Sequence, residues 1–152
     1  AANWSTSKAK LLLSFRVMAD RDASDAELSG HNVILFGTRK TNARIAAIAN
    51  SLPLHLNPGA ADYGLVYVYP YAGRYVVISS GLPWWTRLDQ ARRPGLAILA
   101  PAWKALQTFE DFIVFRGGLD NVVAEGRFDN RWKLPAESIA TLKATGAFDV
   151  ST

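Results

Sequence analysis

The sequence predicts one α/β domain of 152 residues, with a layered sheet that starts parallel and gains antiparallel strands. Three observations predict this class. Strand-like and helix-like segments alternate in the first part of the chain. Two pairs of runs rich in Val, Ile and aromatic residues follow, each pair joined by a short connection that contains glycine. The composition, 49% hydrophobic and 20% charged, is typical of a globular chain with a full-sized core.

The N-terminal part predicts a helix, a strand and a helical turn. Residues 6–14 predict the end of a helix, and the apolar alternation of residues 15–19 predicts a half-buried strand. A short helical turn follows, for which Ser24 or Asp25 is a candidate N-cap. A doubly wound unit normally begins with a strand at the centre of its sheet. Because this sequence opens on a helix, we expect that first strand to be missing or to be supplied by another chain.

The next segment predicts a buried strand followed by a helix. Residues 32–36 are a continuous apolar run, which is typical of a strand covered on both faces. Residues 43–51 carry isoleucines at helical spacing, and Pro53 ends that helix. Residues 54–62 predict a loop.

Two β-hairpins and a terminal helix complete the predicted domain. Residues 63–70 and 74–81 form the first hairpin, and residues 111–117 and 121–129 form the second. The apolar segment 96–109, between the hairpins, favours a helix. A short helix is also predicted in residues 134–148, because Pro135 suits its first turn.

Charge and cysteine content exclude several classes of function. The net charge is +4 and the pI about 9.6, but the cations are scattered and no basic run indicates nucleic-acid binding. The absence of cysteine excludes thiol nucleophiles, disulfides and thiolate metal sites. No apolar stretch approaches the ~20 residues of a membrane span. We therefore expect neither a nucleic acid nor a membrane as partner.

The loop after the second predicted strand is a candidate phosphate site. A helix N-terminus that follows a strand can bind an anion through free backbone N–H groups. Thr38, Arg39, Thr41 and Asn42 supply hydroxyl, amide and cationic groups there, and a flavin or a nucleotide would be the ligand. The glycine-rich fingerprints of dinucleotide and P-loop sites are absent. Ordinary helix capping by Thr38 or Thr41 explains the same residues.

Catalytic and metal-binding signatures are absent elsewhere. His31 and His55 lack metal-ligand spacing, so no metal site is predicted. Ser79 and Ser80 end a predicted strand without the GxSxG pattern, which leaves a cryptic hydrolase as the weakest hypothesis. Carboxylates cluster in two places that a solvated loop explains: Asp20, Asp22, Asp25, Glu110 and Asp111.

Paired tryptophans mark a candidate interface. Trp84 and Trp85 follow a proline in a polar segment, and Trp103 and Trp132 lie in other connections. Tryptophan is enriched at the centres of protein interfaces, although a loop tryptophan also serves to cover a sheet edge. Both interpretations of the pair remain open from the sequence.

Three phrases, taken together and in order, resemble a known family of domains. They are HNVILFGTRKTNARIAAIANSLPL at residues 31–54, GRYVVISSG at 73–81 and DFIVFRGGLDNVVAEGRFDNRWKL at 111–134. The chain resembles, over roughly residues 10–134, the C-terminal flavodoxin-like α/β domain of secreted bacterial α/β-hydrolases of the prolyl oligopeptidase and esterase type.

This resemblance implies an accessory function. The catalytic serine, histidine and aspartate of that family belong to the preceding hydrolase domain, so none is carried onto this chain. We therefore expect residues 1–152 to be a non-catalytic domain of a larger hydrolase, without a cofactor. It would pack on the hydrolase domain of the same parent or of a second chain, or shape access to its active site, and homo-oligomers are a further option. The resemblance also implies a secreted or periplasmic location.

Overall fold

The computed structural model describes residues 16–84, 86 and 109–151. In this part the fold is mixed α/β, with a five-stranded sheet, a two-stranded sheet and a few short helices. The strands are β1 Val33–Phe36, β2 Leu54–Leu56, β3 Tyr63–Tyr71, β4 Arg74–Gly81, β5 Phe112–Arg116, β6 Gly118–Gly126 and β7 Phe148–Val150. The α-helices are α1 Asp25–Gly30, α2 Ala43–Ile48 and α3 Ala136–Ala144, and 3-10 turns span Asp20–Asp22 and Ala49–Ser51.

The large sheet is mainly antiparallel. Its strand order is β1–β4–β3–β5–β6, and β2 pairs with β7 in the small sheet. Within the described residues, the pairing of β1 with β4 is the one parallel pair, with Ile34 opposite Val77 and Phe36 opposite Ser79. The sheet therefore starts parallel and continues antiparallel, as the sequence predicted.

Side-chain caps fix where the helices begin. Ser24 is the N-cap of α1 and forms a capping box with Glu27, in which each side chain accepts a hydrogen bond from the other's backbone N–H. This confirms Ser24 as the predicted cap. The donation from Ser24 N–H also lowers the pKa of Glu27. Pro135 occupies the N-cap of α3, one residue before the predicted position.

Both predicted hairpins are present, with shorter turns than expected. The turn between β3 and β4 consists of Ala72 and Gly73, whose φ angles are 50° and 76°. Two consecutive positive φ angles suit the right-handed twist of the flanking strands. Pro70 lies beyond the part of β3 that pairs with β5, so its missing N–H removes no bond from that pairing. In the second hairpin, Gly117 alone separates β5 from β6.

The hydrophobic core lies on one face of the large sheet, which we call the core face. Helices α1, α2 and α3 and the small sheet all contribute buried side chains to it. Tyr67 is fully buried at its centre, and its hydroxyl donates to the Leu54 carbonyl at 3.0 Å. Burial raises the pKa of Tyr67 because the phenolate would lose its hydration. This bond ties β2 to the central strand β3.

An aromatic cluster closes one end of the core. Trp132 has a φ of 60°, which is unusual for a bulky residue, and its ring lies 5.9 Å from those of Tyr69 and Phe128. Asp129 holds this turn, because its carboxylate accepts N–H bonds from Arg131 and Lys133 at 2.8 Å. The same two donors lower the pKa of Asp129.

Three sequence-based assignments differ from the structure. Residues 16–19 belong to no helix or strand, so the predicted strand over residues 15–19 is wrong where it is described. Residues 54–56 form β2 where a loop was predicted, and β7 was not predicted. Strands of three residues carry too little periodicity to be recognised, and β2 and β7 exist because each pairs with the other.

Strand β1 also differs from expectation. Ile34 is 48% exposed and Phe36 is 43% exposed, so the described residues do not cover both faces of β1. The described sheet has no gap at its centre, since β1 pairs directly with β4. A missing strand could add only at an edge. The helices predicted in residues 6–14 and 96–109 lie outside the described residues.

Gly81 generates a stability prediction. A Cβ at Gly81 (φ 74°) would overlap the Tyr63 carbonyl oxygen and come within 2.6 Å of the Leu56 side chain. Gly81→Ala should lower the free energy of unfolding by about 2–4 kcal/mol, the sum of backbone strain and overpacking. Gly59 has a φ of 88° and open space around its Cβ position, so Gly59→Ala is the matched control and should cost about 1 kcal/mol. Urea unfolding measures both, and equal losses would contradict the predicted overlap.

Candidate functional site

The loop that joins β1 to α2 forms most of its hydrogen bonds within itself. The Thr38 N–H donates to Thr41 Oγ1 at 2.9 Å, and the Thr38 carbonyl accepts from Thr41 N–H and Asn42 N–H at 3.0 and 2.9 Å. The Lys40 N–H donates to Thr38 Oγ1 at 3.2 Å. The tight path requires glycine at position 37, where φ is 116° and a Cβ would approach Thr41 Oγ1 to 2.8 Å. The amides of Thr38, Lys40, Thr41 and Asn42 therefore have partners already.

Asn42 joins the end of β1 to the start of α2. Its Oδ1 accepts from the N–H groups of Arg44 and Ile45 at 2.9 and 3.1 Å, which satisfies two amides of the first helical turn. Its Nδ2 donates to the Phe36 carbonyl at 3.0 Å. The side chain is buried, so all of this bonding depends on a single amide group. The N-cap is Asn42, rather than the predicted Thr38 or Thr41.

Asp20 satisfies the remaining amide at this helix start. Its Oδ2 accepts from Ala43 N–H at 2.5 Å, and this bond lowers the pKa of Asp20. A carboxylate thus lies where an incoming phosphate would need to bind, and like charges repel. Arg39, a predicted phosphate ligand, instead pairs with Asp149 on β7 at 2.8 Å. This geometry favours the capping interpretation of the loop, and phosphate binding stays a prediction.

The second face of the large sheet borders an open cavity of about 990 Å³. We call this the outer face and define it by the side chains of Ile34, Phe36, Val66, Val77 and Ile113, which line the cavity. Exposure falls along it, from about half at Ile34 and Phe36 to 9% at Val66 and 8% at Ile113. The five side chains that define the outer face are all apolar, and those at its β1 end are the most accessible.

Charged residues surround the β1 end of the cavity as ion pairs. Arg16 Nη1 lies 2.6 Å from Glu27 Oε1, and Arg44 Nη1 lies 2.7 Å from Asp25 Oδ1. The Arg44 Nε also donates to the Asp20 carbonyl at 3.1 Å. Arg16, Glu27, Arg44 and Asp20 all line the cavity, so its apolar floor has a rim of mixed charge.

Only one of the two predicted interface tryptophans can be placed. Trp84 lies just after the end of β4 and Phe109 just before the start of β5, and both line the cavity. Trp85 and Trp103 lie outside the described residues. Trp132 belongs to the aromatic cluster at the core and does not line this cavity. Trp84 therefore lies in the same cavity as the outer face, whose residues the sequence analysis did not identify as a candidate site.

The serine and histidine candidates form structural contacts. The Ser80 hydroxyl donates to the Gly37 carbonyl at 2.6 Å, so this proton is held by the backbone. Ser79 is buried and lines the cavity. The Nε2 of His55 lies 2.9 Å from the Ala49 carbonyl inside the fold, whereas His31 is exposed before β1. These contacts do not form a nucleophile–base pair of the kind that activates a serine.

The carboxylates are also engaged in structure. Asp111 accepts from the Phe128 N–H at 3.0 Å, and Glu110 lies 3.4 Å from Arg127. Asp22 lies beside Arg21 at 3.8 Å on the surface. Within residues 16–84, 86 and 109–151, no group of three or more His, Asp or Glu side chains could hold a metal ion.

The sequence analysis did not identify the outer face, because it took the apolar run of β1 to mean a strand covered on both faces. The run Val-Ile-Leu-Phe in β1 is apolar at every position and does not distinguish a strand covered on both faces from one covered on a single face. Val77 and Val66 carry the same ambiguity in β4 and β3. The sequence does show that apolar residues occupy both faces of these strands, which is the available signal for an outer face.

Comparison with models of protein families, with curated proteins and with solved structures found no match for this chain. Among the described helices, none has the length and apolar character needed to cross a bilayer. The resemblance to hydrolase accessory domains consequently stays a prediction.

Asn42 provides a test of the two interpretations of the loop. Asn42→Ala should lower the free energy of unfolding by about 1–2 kcal/mol, because the cap of α2 and the bond to Phe36 are both lost. Lys40→Ala is the control, since this side chain is exposed, and should change stability by less than about 0.5 kcal/mol. Thermal unfolding with and without inorganic phosphate completes the test. Stabilisation of the wild type by phosphate, lost in Asn42→Ala, would instead support the phosphate site.

His55 predicts a dependence of stability on pH. Burial lowers the pKa of His55, with the Arg39 charge acting in the same direction and the Ala49 bond opposing it. The unfolded chain therefore binds the proton more readily than the folded chain. The contribution of neutral His55 to the free energy of unfolding is fully present above the unfolded pKa of about 6.5, and it is lost as the pH falls below that value.

The pH test compares urea unfolding at about pH 7.5 and about pH 5.5. The wild type should lose stability at the lower pH, and His55→Gln should lose less, because it keeps an N–H donor that does not titrate. His31→Gln, at the exposed histidine, should behave as the wild type does. An identical pH response of wild type and His55→Gln would show that His55 is not responsible.

Proposed function

We propose that this chain is a non-catalytic accessory domain that docks onto an α/β-hydrolase domain through its outer face. The observation that supports this is the half-exposure of Ile34 and Phe36 on an apolar sheet face that continues to Val77 and Trp84. Contiguous exposed apolar surface with a polar rim is typical of protein interaction sites. In the proposed flavodoxin-like layering, this face is the boundary at which the partner packs.

The side chains of the outer face are suited to binding another protein rather than to catalysing a reaction. Its floor consists of Ile, Phe and Val side chains, which stabilise a contact by leaving water, at about 25 cal/mol per Å² of apolar area. Its rim includes Arg16, Glu27 and Arg44, whose charges are held in ion pairs that suit the solvated margin of an interface. A stable interface requires about 800 Å² from each partner, so the docked surface would extend beyond Ile34 and Phe36.

The class of the partner follows from the three resembling phrases. They imply a serine hydrolase domain of the peptidase or esterase type, in the same polypeptide or in a second chain, and a secreted or periplasmic location. Ser80, whose hydroxyl donates to the Gly37 carbonyl, agrees with catalysis by the partner rather than by this chain. Docking beside Trp84 would place this domain where it stabilises the hydrolase or limits access to its active site.

A fluorophosphonate label tests the proposed partner. An antibody raised against this chain precipitates the native protein from its source, and the fluorophosphonate labels serine hydrolases covalently at the active serine. We expect a labelled band in the precipitate, either in the polypeptide that contains this chain or in a co-precipitated one. A precipitate without any labelled hydrolase would overturn the proposal.

A matched pair of variants tests the docking surface. After the precipitation, limited trypsin cuts any linker between this chain and a hydrolase domain of the same polypeptide, and washing removes what is not bound. In the wild type, the labelled hydrolase should stay bound to this chain. Val77→Lys places a charge on the outer face and should release the hydrolase, because burying an unpaired charge is costly. Val122→Lys places the same charge on β6, where Val122 is 40% exposed and does not line the cavity, and should release nothing. Equal retention by both variants would locate the contact elsewhere.

A further inference from the structure

Strand β1 leaves one edge of the large sheet unpaired within the described residues. The Gly37 N–H donates to the Ser79 carbonyl of β4 at 2.9 Å, so the odd-numbered residues of β1 direct their backbone groups towards β4. In a parallel pair, alternate residues direct their N–H and C=O groups to opposite sides. Ile34 and Phe36 therefore direct theirs outward, where the Asn42 amide contacts the Phe36 carbonyl and no strand is paired.

The two edges of this sheet differ in how they are protected. At β6, the opposite edge, the pairing with β5 contains register shifts around Phe115, and the strand carries Asp120 and Glu125. Bulges and charges are the usual devices that keep an edge strand from pairing with another chain. Strand β1 has no charge, no proline and no register shift. Among the described strands, the β6 edge is therefore protected and the β1 edge is not.

The outward N–H and C=O groups of β1 are complementary to those of a second β1 strand that runs antiparallel to it. In an antiparallel pair of two β1 strands related by a two-fold axis at Leu35, Ile34 of each copy faces Phe36 of the other. Each Ile34 N–H would donate to a Phe36 carbonyl, and each Phe36 N–H to an Ile34 carbonyl. A carbonyl oxygen has two lone pairs, so Phe36 can accept this bond and keep the one from Asn42. The pairing satisfies all the outward groups of both strands.

We propose that this chain forms a homodimer in which two β1 strands pair antiparallel and join the two sheets. The occupant of this edge, which no described strand pairs with, is a second copy, because the register is self-matched and the neighbouring rim carries both signs of charge. Ile34 and Phe36 of the two copies would lie side by side and make one continuous outer face. This inference rests on the sheet edge and is independent of the hydrolase partner.

Sedimentation equilibrium of the purified chain tests the dimer. We expect a concentration-dependent mass that approaches twice 16.6 kDa. Ile34→Lys places a charge on the free edge and should weaken the dimer at least about tenfold, since charged edge residues block pairing. Val122→Lys, a similarly exposed valine on the opposite edge, is the control and should leave the dimer unchanged. A monomer at every concentration, or a dimer that tolerates Ile34→Lys, would overturn the proposal.

Amide exchange distinguishes edge pairing from contact through the outer face. If β1 strands pair, the Ile34 and Phe36 amides should exchange slowly in concentrated solution and quickly on dilution. Val77→Lys should leave the dimer intact, because Val77 lies on the face and not at the edge. Loss of the dimer in Val77→Lys, with unprotected Ile34 and Phe36 amides, would assign association to the outer face and refute the edge. None of these results depends on a hydrolase.

Discussion

The pairing of β3 on both of its sides is the constraint on which the rest of the fold depends. Strand β3 bonds to β4 along the first hairpin and to β5 along the other side, so both hairpins share its register. Gly64 permits this close fit, because a Cβ there would overlap the ring of Phe115. Tyr67, fully buried on the same strand, then joins the small sheet to the large one through Leu54. Among the described strands, β1 pairs with β4 and β6 pairs with β5, so neither pairs with β3 itself.

The sequence predicted the elements whose signal is local. The two hairpins and α2 follow from alternation and helical spacing, and Ser24, one of two candidate caps, follows from its residue type at a helix start; all of these signals involve residues a few positions apart. Strands β2 and β7 were missed because neither is stable without the other, and nearly a hundred residues separate them. The exposure of Ile34 and Phe36 was missed for a related reason. Burial of an apolar run depends on what the rest of the chain packs against it.

The loop after β1 shows why a residue inventory does not define a binding site. Its threonines, asparagine and cations match those of a phosphate loop in type, and the helix start is in the expected place. What differs is where the hydrogen bonds go: Asn42 and Asp20 satisfy the first amides of α2, and Thr38 and Thr41 bond to each other. An anion site needs donors that are left over after folding. The sequence shows which residues carry N–H and hydroxyl donors, but only the structure shows how many of these donors already have partners within the fold.

The separation of β4 from β5 along the chain has a consequence for the order in which the sheet forms. The β3–β4 hairpin closes through Ala72 and Gly73, so it can form early from contacts between near neighbours. Strand β5 must then find β3 across the whole connection between Gly81 and Phe112. The contacts between β3 and β5 thus span far more of the sequence than those between β3 and β4, so we expect the first hairpin to form before β5 joins the sheet.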